Sequence, residues 1–395
     1  MLILLGAASA LSFSTWNALL NNFAVDRAAF TGAEIGILQS LREVPGFLAF
    51  TAIFLLRVIR EQRLALVSLS LLGLGAALTG LFPTVVGLYC TTVLMSVGFH
   101  YGETMQQSLA LQWLGKDRAP VVLGRVIAAA SVASLSAYAL IWLAFDRLGA
   151  DFSVVYLVAG GLSMALAAFA ALAFPRFAQT VAQHKRLILR RRYWLYYALT
   201  FLAGARRQIF TVFAGFMMVE RFGYGVADIT LLFLINYAAN IWLAPALGRV
   251  IARVGERTSL TLEYSGLVVV FLCYAFVDDS RIAAGLYVVD HLLFALAIAI
   301  KTYFQKISAP ADIAPTAAVA FTINHIAAVL LPVLLGYLWL VSPSAVFFVG
   351  AGFAVISLAL SQLVPRNPRE GQETTLASAS PAPVCASVEA TSEVR

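Results

Sequence analysis

Charged side chains are scarce in this sequence: Asp, Glu, Lys and Arg make up 12% of 395 residues, against 61% hydrophobic. A soluble domain carries about 25% charged residues, so the composition excludes a chain that covers itself with a water-facing surface. Cysteine is nearly absent. The three that occur, Cys90, Cys273 and Cys385, match no zinc or redox spacing, and no metal is expected. Cys90 and Cys273 fall in apolar runs and read as buried thiols. A Walker loop, a dinucleotide fingerprint and a nucleophile elbow are all missing. The chain therefore reads as neither an ATP-driven pump nor an enzyme, and no cofactor is expected. The N-terminus lacks the basic leader and cleavage site of a secretory signal, so MLILLGAASALSFSTWNALL reads as a retained first span.

Apolar length is what the chain has in abundance. About 20 apolar residues cross a ~30 Å hydrocarbon layer. Runs of that size recur at 2–23, 34–56, 64–82, 85–110, 121–144, 153–174, 193–218, 227–248, 259–277, 282–304, 315–340 and 344–364. The predicted fold class is an all-α integral membrane bundle of twelve transmembrane helices. Residues 1–174 form an N-terminal six-helix half, and 193–364 form its C-terminal counterpart. Between them 175–192 is a basic cytoplasmic linker, the longest internal polar segment. Residues 365–395 are rich in Ser, Thr, Pro, Ala and Glu and read as a disordered cytoplasmic tail.

The net charge of +7 could suggest a nucleic-acid partner, but the placement of the charges argues otherwise. Lysines and arginines crowd alternate loops: Arg57, Arg60 and Arg63, then Lys116 and Arg118, then the 175–192 segment, then Arg249, Arg253 and Arg257, then Arg366 and Arg369. The other loops hold only Arg27, Arg147, Arg221 and Arg281, each near an acid. By the positive-inside rule the crowded side is cytoplasmic. Both termini are then cytoplasmic, the span number is even, and the bilayer, presumed to be the inner membrane, is the partner the charges serve. A monomer is expected.

The two groups of six spans echo each other. Val25-Asp26-Arg27 closes span one and Val219-Glu220-Arg221 closes span seven, a shift of 194 residues. At the same shift Glu34-Ile35 matches Asp228-Ile229, while Ala119-Pro120 and Ala314-Pro315 are 195 apart. Parallel six-span repeats suit a transporter with its site at their interface.

After span eight the chain reads Gly248-Arg-Val-Ile-Ala252-Arg253-Val-Gly255-Glu-Arg257. This resembles the cytoplasmic loop signature of the major facilitator superfamily, with Ala252 where an aspartate is usual. Arg118 and, six residues on, Gly124 also resemble that superfamily's approach to span five. The resemblance in architecture covers residues 1–364. It implies alternating access, with Gly248, Arg249, Arg253 and Arg257 as a gating loop that latches the halves; the arginines could equally just set topology. Two departures weaken a drug-antiporter reading: Ala128–Tyr138 lacks a glycine-proline signature, and Leu88–Thr92 lacks an arginine.

Ionisable residues inside spans cost at least ~2.5–3.5 kcal/mol and mark function by default. Span seven carries Arg206 and Arg207, about 20 Å from its start at 1.5 Å per residue. Arg207 shares a small, polar stripe with Thr200, Gly204 and Thr211, whereas Arg206 shares a face with Leu199, Leu202, Ile209 and Phe213. Arg207 is therefore the expected cavity residue. Span two carries Gln39, Arg42 and Glu43, and the repeat places Asn236 and Asn240 of span eight opposite that stripe. An Arg42–Glu43 salt bridge that only locks packing is the alternative. Span four aligns Thr92, Ser96, His100, Glu103 and Gln107; span ten offers Asp290 and His291; span eleven has Asn324 and His325. A histidine and a carboxyl one turn apart can relay a proton, so His100, Glu103, Glu43 and Asp290 are the candidate proton carriers. His325 reads as a hydrogen-bonded packing residue, and His100 with Glu103 alone is too little for a metal.

Arg42, Arg207, Gln39, Asn236, Asn240, His291 and Asn324 are thus the expected substrate-binding set. Guanidinium groups hold carboxylate or phosphate bidentately. The expected activity is secondary transport of a small anionic solute, coupled to protons. Efflux of amphipathic compounds is the alternative, and a membrane-embedded lipid-modifying enzyme a distant one, with Asp278-Asp279 its only paired aspartates.

Overall fold

A computed structural model describes residues 1–56, 58–113, 119–175, 189–309 and 312–376. Among the described residues the regular structure is helical, and the helices make twelve passes. The first six are Leu2–Ala28; Gly32–Phe47 continued by Ala49–Thr51 and Ala52–Leu55; Glu61–Thr79; Val85–Trp113; Ala119–Arg147; and Phe152–Ala173. The seventh runs through Trp194–Gln208, a π-helical stretch Ile209–Ala214, and Gly215–Glu220. Then come Val226–Val254 and Glu256–Phe276, a tenth pass of Ser280–Phe294, Ala295–Ala297 and Ile298–Ile307, and finally Ile313–Val341 and Pro343–Ser361. An even number of passes returns both ends of the helical bundle to one face, called here the terminal end; the opposite face is the far end.

Among the described residues nine helices are long and apolar enough to cross a membrane. The second, seventh and eighth passes are the remainder. Arg42 and Glu43 interrupt the second, Arg206 and Arg207 the seventh, and the eighth contributes a shorter apolar helix, Val226–Ala239. Polarity is concentrated in these passes because they face the interior. On the outside, Val154, Val158, Phe169, Leu172, Leu330, Leu334 and Val341 are exposed, a surface that only hydrocarbon can cover without cost. The protein is a multi-pass membrane protein. Cys90 and Cys273, read as buried, are in fact exposed. An apolar run does not say which of its faces meets lipid and which meets protein.

Helix starts differ between the two ends. Each even-numbered pass begins at the far end on a side-chain cap: Thr31 with Glu34, Thr84 on the Gly87 amide, and Asp151 on the Ser153 amide. Asp228 on the Gly225 amide, Asp279 on the Arg281 and Ile282 amides, and Ser342 on the Ala345 amide complete the set. These side chains satisfy amide donors that a helix start leaves open, so the turns there are tight.

The far end is sealed by the second and eleventh passes. A Cβ on Gly36 would stand 2.2 Å from the Pro332 carbonyl oxygen, and one on Gly336 2.5 Å from that of Gly32. Glycines four residues apart let two helix backbones meet this closely. Beside Pro332, the Val333 amide donates to Ser40 Oγ at 3.2 Å. Trp339 Nε1 donates to Glu220 Oε2 at 2.7 Å, and Asn22 Nδ2 to the Tyr224 carbonyl at 2.7 Å.

At the terminal end Asp312 gathers the segment that precedes the seventh pass: Arg190 at 2.6 Å and Arg192 at 2.9 Å. Those contacts, with the Arg190 hydrogen bond foremost, hold the Asp312 carboxyl below the usual carboxylate range. Of residues 365–376, part of the stretch whose composition predicts disorder, Pro368, Glu373 and Thr374 are buried here. Tyr303 donates to the Glu373 carbonyl at 2.5 Å and the Thr375 amide to that of Leu363 at 2.9 Å. Residues 377–395 lie outside the described residues.

Candidate functional site: two buried charge clusters

Adjacent positions on a helix point about 100° apart, and the seventh pass uses this to send Arg206 and Arg207 to different places. Arg206 is buried against the ninth pass, where its NH1 lies 3.3 Å from Glu263 Oε1 with neither side chain exposed. Its Nε donates to the Leu202 carbonyl at 3.3 Å, and its guanidinium lies 4.3 Å from the centre of the Tyr264 ring. Asp290 of the tenth pass is a third member by charge: Arg206 and Glu263 are the ions that act on it. Both Asp290 oxygens, Glu263 Oε2 and Arg206 NH2 are buried with no hydrogen-bond partner among the described residues. Asp290 is therefore grouped with Arg206 and Glu263 rather than with the Glu43 cluster. Glu263 is absent from the sequence-derived candidates. It sits only two turns into its pass, where an acid reads as interfacial.

The second cluster is built on the second pass. Arg42 pairs with Oε1 of its neighbour Glu43, and the Arg42 carbonyl accepts from Ser96 Oγ of the fourth pass. Glu43 Oε2 lies 3.6 Å from His325 Nε2 of the eleventh pass. The His100 and His325 rings stand edge to face with centroids 5.6 Å apart. They meet over Gly46, where a Cβ would lie 2.6–2.7 Å from both rings. The charges of Arg207 and Glu103 reach the same space: Arg207 acts on Glu43, and Glu103 on Arg207. Glu103 itself is exposed. His325, read from sequence as a hydrogen-bonded packing residue, does hydrogen-bond the Phe321 carbonyl and also reaches Glu43, one of several contacts between the first six passes and the last six. Nothing in the residues around it announces that role, because its partner lies 282 positions away.

The remaining sequence-derived residues scatter. Asn324 packs on Gly204, so that a Cβ there would be 2.5 Å from Asn324 Oδ1. Gln39, one turn before Glu43, is buried with Oε1 unpartnered, and Asn236 is buried with Oδ1 unpartnered. The His291 ring lies 6.0 Å from that of Phe210, on the Asp290 side of the bundle. Of the gating loop, Arg257 hydrogen-bonds Gln362 Oε1 at 3.1 Å, a link within the last six passes, and Arg253 is exposed. Asn240, Gly248 and Arg249 lie outside the residues whose side chains are described.

Known proteins match this chain both by sequence family and by fold. The family model of the Major Facilitator Superfamily matches residues 1–304. The chain belongs to the major facilitator superfamily. It is a membrane transporter of that superfamily. No curated protein matches its sequence. Among solved structures it is similar to the nucleoside transporter NupG, with a TM-score of 0.74 at 15% identity over 91% of this chain and 97% of that one. A bacterial homologue of the human lysosomal transporter Spinster, inward-facing and occupied, superposes at 0.71 with 14% identity over 96% and 97% of the two chains. A POT family transporter in complex with 5-aminolevulinic acid gives 0.71 at 11% identity over 91% and 93%. At these identities the likeness is one of fold.

Proposed function

We propose that this major facilitator superfamily protein carries a small anionic solute across the cytoplasmic membrane, coupled to protons, by rocking two six-span halves (1–174 and 193–364) about the Glu43 cluster. The observation that carries the reading is the contrast in pairing. Arg206 is sealed against Glu263, whereas Arg207 makes no ion pair within 4.0 Å among the described residues and shares Glu43 with Arg42. A guanidinium inside a membrane protein needs a counter-charge, and a solute carboxylate or phosphate supplies it with two parallel hydrogen bonds. Gln39, Asn324, Asn236, Asn240 and His291 are proposed to complete the binding surface. The structural neighbours differ in what they hold, so the solute class is read from this chain's own residues.

Proton coupling rests on two features. His325 Nε2 faces Glu43 Oε2, and a proton between them would strengthen the contact that joins the halves. Burial penalises net charge, and the Arg206 pocket holds two carboxyls for one guanidinium. One added proton makes that pocket neutral, and we assign it to Asp290, whose two oxygens have no hydrogen-bond partner among the described residues. His100 and Glu103 line the route between the Glu43 cluster and the exposed side of the fourth pass. The lysine and arginine distribution supports cytoplasmic termini and inner-membrane insertion, with Gly248, Arg249, Arg253 and Arg257 at the cytoplasmic surface. We infer a monomeric carrier with no nucleic-acid partner.

The test is uptake into proteoliposomes holding the purified protein, driven by an inside-alkaline pH gradient. The panel comprises mono- and dicarboxylates, organic phosphates, uridine and a cationic dye. Saturable uptake of an anion that stops when the gradient is collapsed supports the reading. Uptake confined to the neutral or cationic solutes would overturn the anion assignment, and gradient-independent uptake would overturn the coupling.

A further inference from the structure

The Glu43 cluster has the parts of a metal site as well as those of an ion pair. A ring nitrogen of His100, a ring nitrogen of His325 and a carboxylate oxygen of Glu43 all lie within 4.8 Å of one another, and all three residues are buried. The hydrogen bonds around the rings decide which nitrogens are available. His325 Nδ1 lies 2.9 Å from the Phe321 carbonyl, and His100 Nδ1 lies 3.1 Å from the Ser96 carbonyl. A carbonyl only accepts, so each Nδ1 carries the ring proton and each Nε2 keeps its lone pair. Ser96 Oγ, 3.0 Å from His100 Nδ1, donates its own proton to the Arg42 carbonyl and therefore also accepts from the ring. A backbone carbonyl on Nδ1 with a bare Nε2 is how proteins orient histidines that ligate metal through Nε2. Glu43 is prepared in the same way, since Arg42 engages Oε1 and leaves Oε2 toward His325.

We propose that Glu43, His100 and His325 bind a first-row divalent metal ion of the zinc class. Two imidazoles and one carboxylate form a known three-ligand set for zinc, with a fourth position left to water or an anion. Bonds of ~2.0 Å at tetrahedral angles place ligand atoms about 3.3 Å apart, so the cluster must contract slightly around the ion. Gly46 leaves room for that contraction, because no side chain stands between the rings. The two arginines and two glutamates of this space cancel in charge. The incoming dication therefore favours an anion in its fourth position, close to Arg207. The three ligands come from the second, fourth and eleventh passes. An ion held by all three fastens the first six passes to the last six while the far end is closed, and so arrests the cycle of the proposed transporter. This last consequence rests on the transport reading; the metal site does not.

The experiment uses the full-length protein purified in detergent, without a polyhistidine tag, and cobalt as the probe. Titration with Co2+ is expected to give the visible absorption of four-coordinate cobalt, saturating at one ion per chain and displaced by Zn2+. His325→Asn and His100→Asn should each weaken binding at least tenfold, while Cys273→Ser, an exposed thiol outside the cluster, leaves it unchanged. Zn2+ should raise the melting temperature of the wild type and not that of the two cluster variants, which also shows whether those variants are folded. Absence of the cobalt spectrum in well-folded protein, or a spectrum that survives both cluster substitutions, overturns the assignment. The readout is made without transport, so a negative result leaves the anion reading standing, and failure of anion uptake leaves the metal site standing.

Discussion

Arg206 and Arg207 are neighbours in the chain and opposites in the molecule. Arg206 lies in a pocket closed on every side within the last six passes, held by Glu263 and Tyr264 with Asp290 within reach. Arg207 instead interacts electrostatically with Glu43 and Arg42 at the seam between the two sets of six, where Glu43 meets His325 from across the bundle. A pocket inside one rigid group of helices keeps its partners whatever the carrier does. A pocket at the seam must exchange partners whenever the seam opens. On the proposed function, the difference between the two arginines is a difference between holding the fold and meeting the solute.

The largest effect should come from breaking the sealed pocket. Glu263→Ala removes the carboxylate that Arg206 hydrogen-bonds and leaves only Asp290 to neutralise it; breaking a buried pair costs up to about 3–5 kcal/mol, so detergent melting curves should show a large loss of stability. Replacing both partners, Arg206→Met with Glu263→Met, should recover most of it, since paired removal leaves no charge behind. If the double variant is no more stable than the single one, the pocket needs its charges for more than mutual neutralisation.

The next largest acts on the seam alone. Gly36→Val would drive a side chain into the Pro332 carbonyl and force the second and eleventh passes apart. A cysteine placed at Gln39 in a cysteine-free background should then react faster with a membrane-impermeant maleimide added from the far side. One placed at Asp290 should not change. Equal acceleration at both positions would mean that the Arg206 pocket is part of the moving seam.

How much of this was legible in the sequence depends on the range of the interaction. The passes are read from apolar length, and the far-end caps are visible as Thr31 with Glu34, Asp151 and Asp279 just ahead of apolar runs. Arg42, Glu43 and His100 stand out because a charge or an imidazole in hydrocarbon is conspicuous. Glu263 was hidden by its position near a helix end, and His325 by a partner 282 residues away in the chain. Cys90 and Cys273 were misplaced because lipid and protein interior select the same side chains. Glu373 and Thr374 are polar yet buried, beside hydrogen bonds from the Tyr303 hydroxyl to the Glu373 carbonyl and from the Thr375 amide to the Leu363 carbonyl that composition does not reveal.

The smallest expected effect lies away from both clusters, at Asp312. Its carboxyl is held low by Arg190, Tyr193 and Arg192, so the contact is present above the ordinary carboxylate pKa and is lost as pH falls through the depressed value. Limited proteolysis of the 175–192 segment should be unchanged between pH 7 and pH 5 and faster near pH 3, and Asp312→Asn should be cleaved faster already at pH 7. Cleavage that speeds up between pH 7 and pH 5 would point to a histidine rather than to this aspartate.

The division of labour between the two arginines is tested most directly by measuring Arg206→Lys and Arg207→Lys side by side, each for melting temperature and for anion affinity. Lysine keeps the charge but loses the planar fork. The account predicts that Arg207→Lys weakens the anion at least tenfold, about 1.4 kcal/mol, with a melting temperature close to wild type. It predicts that Arg206→Lys lowers the melting temperature and leaves affinity within about twofold, since its guanidinium contacts are all internal to the fold. The crossed result, with affinity lost through Arg206 and stability through Arg207, would contradict it.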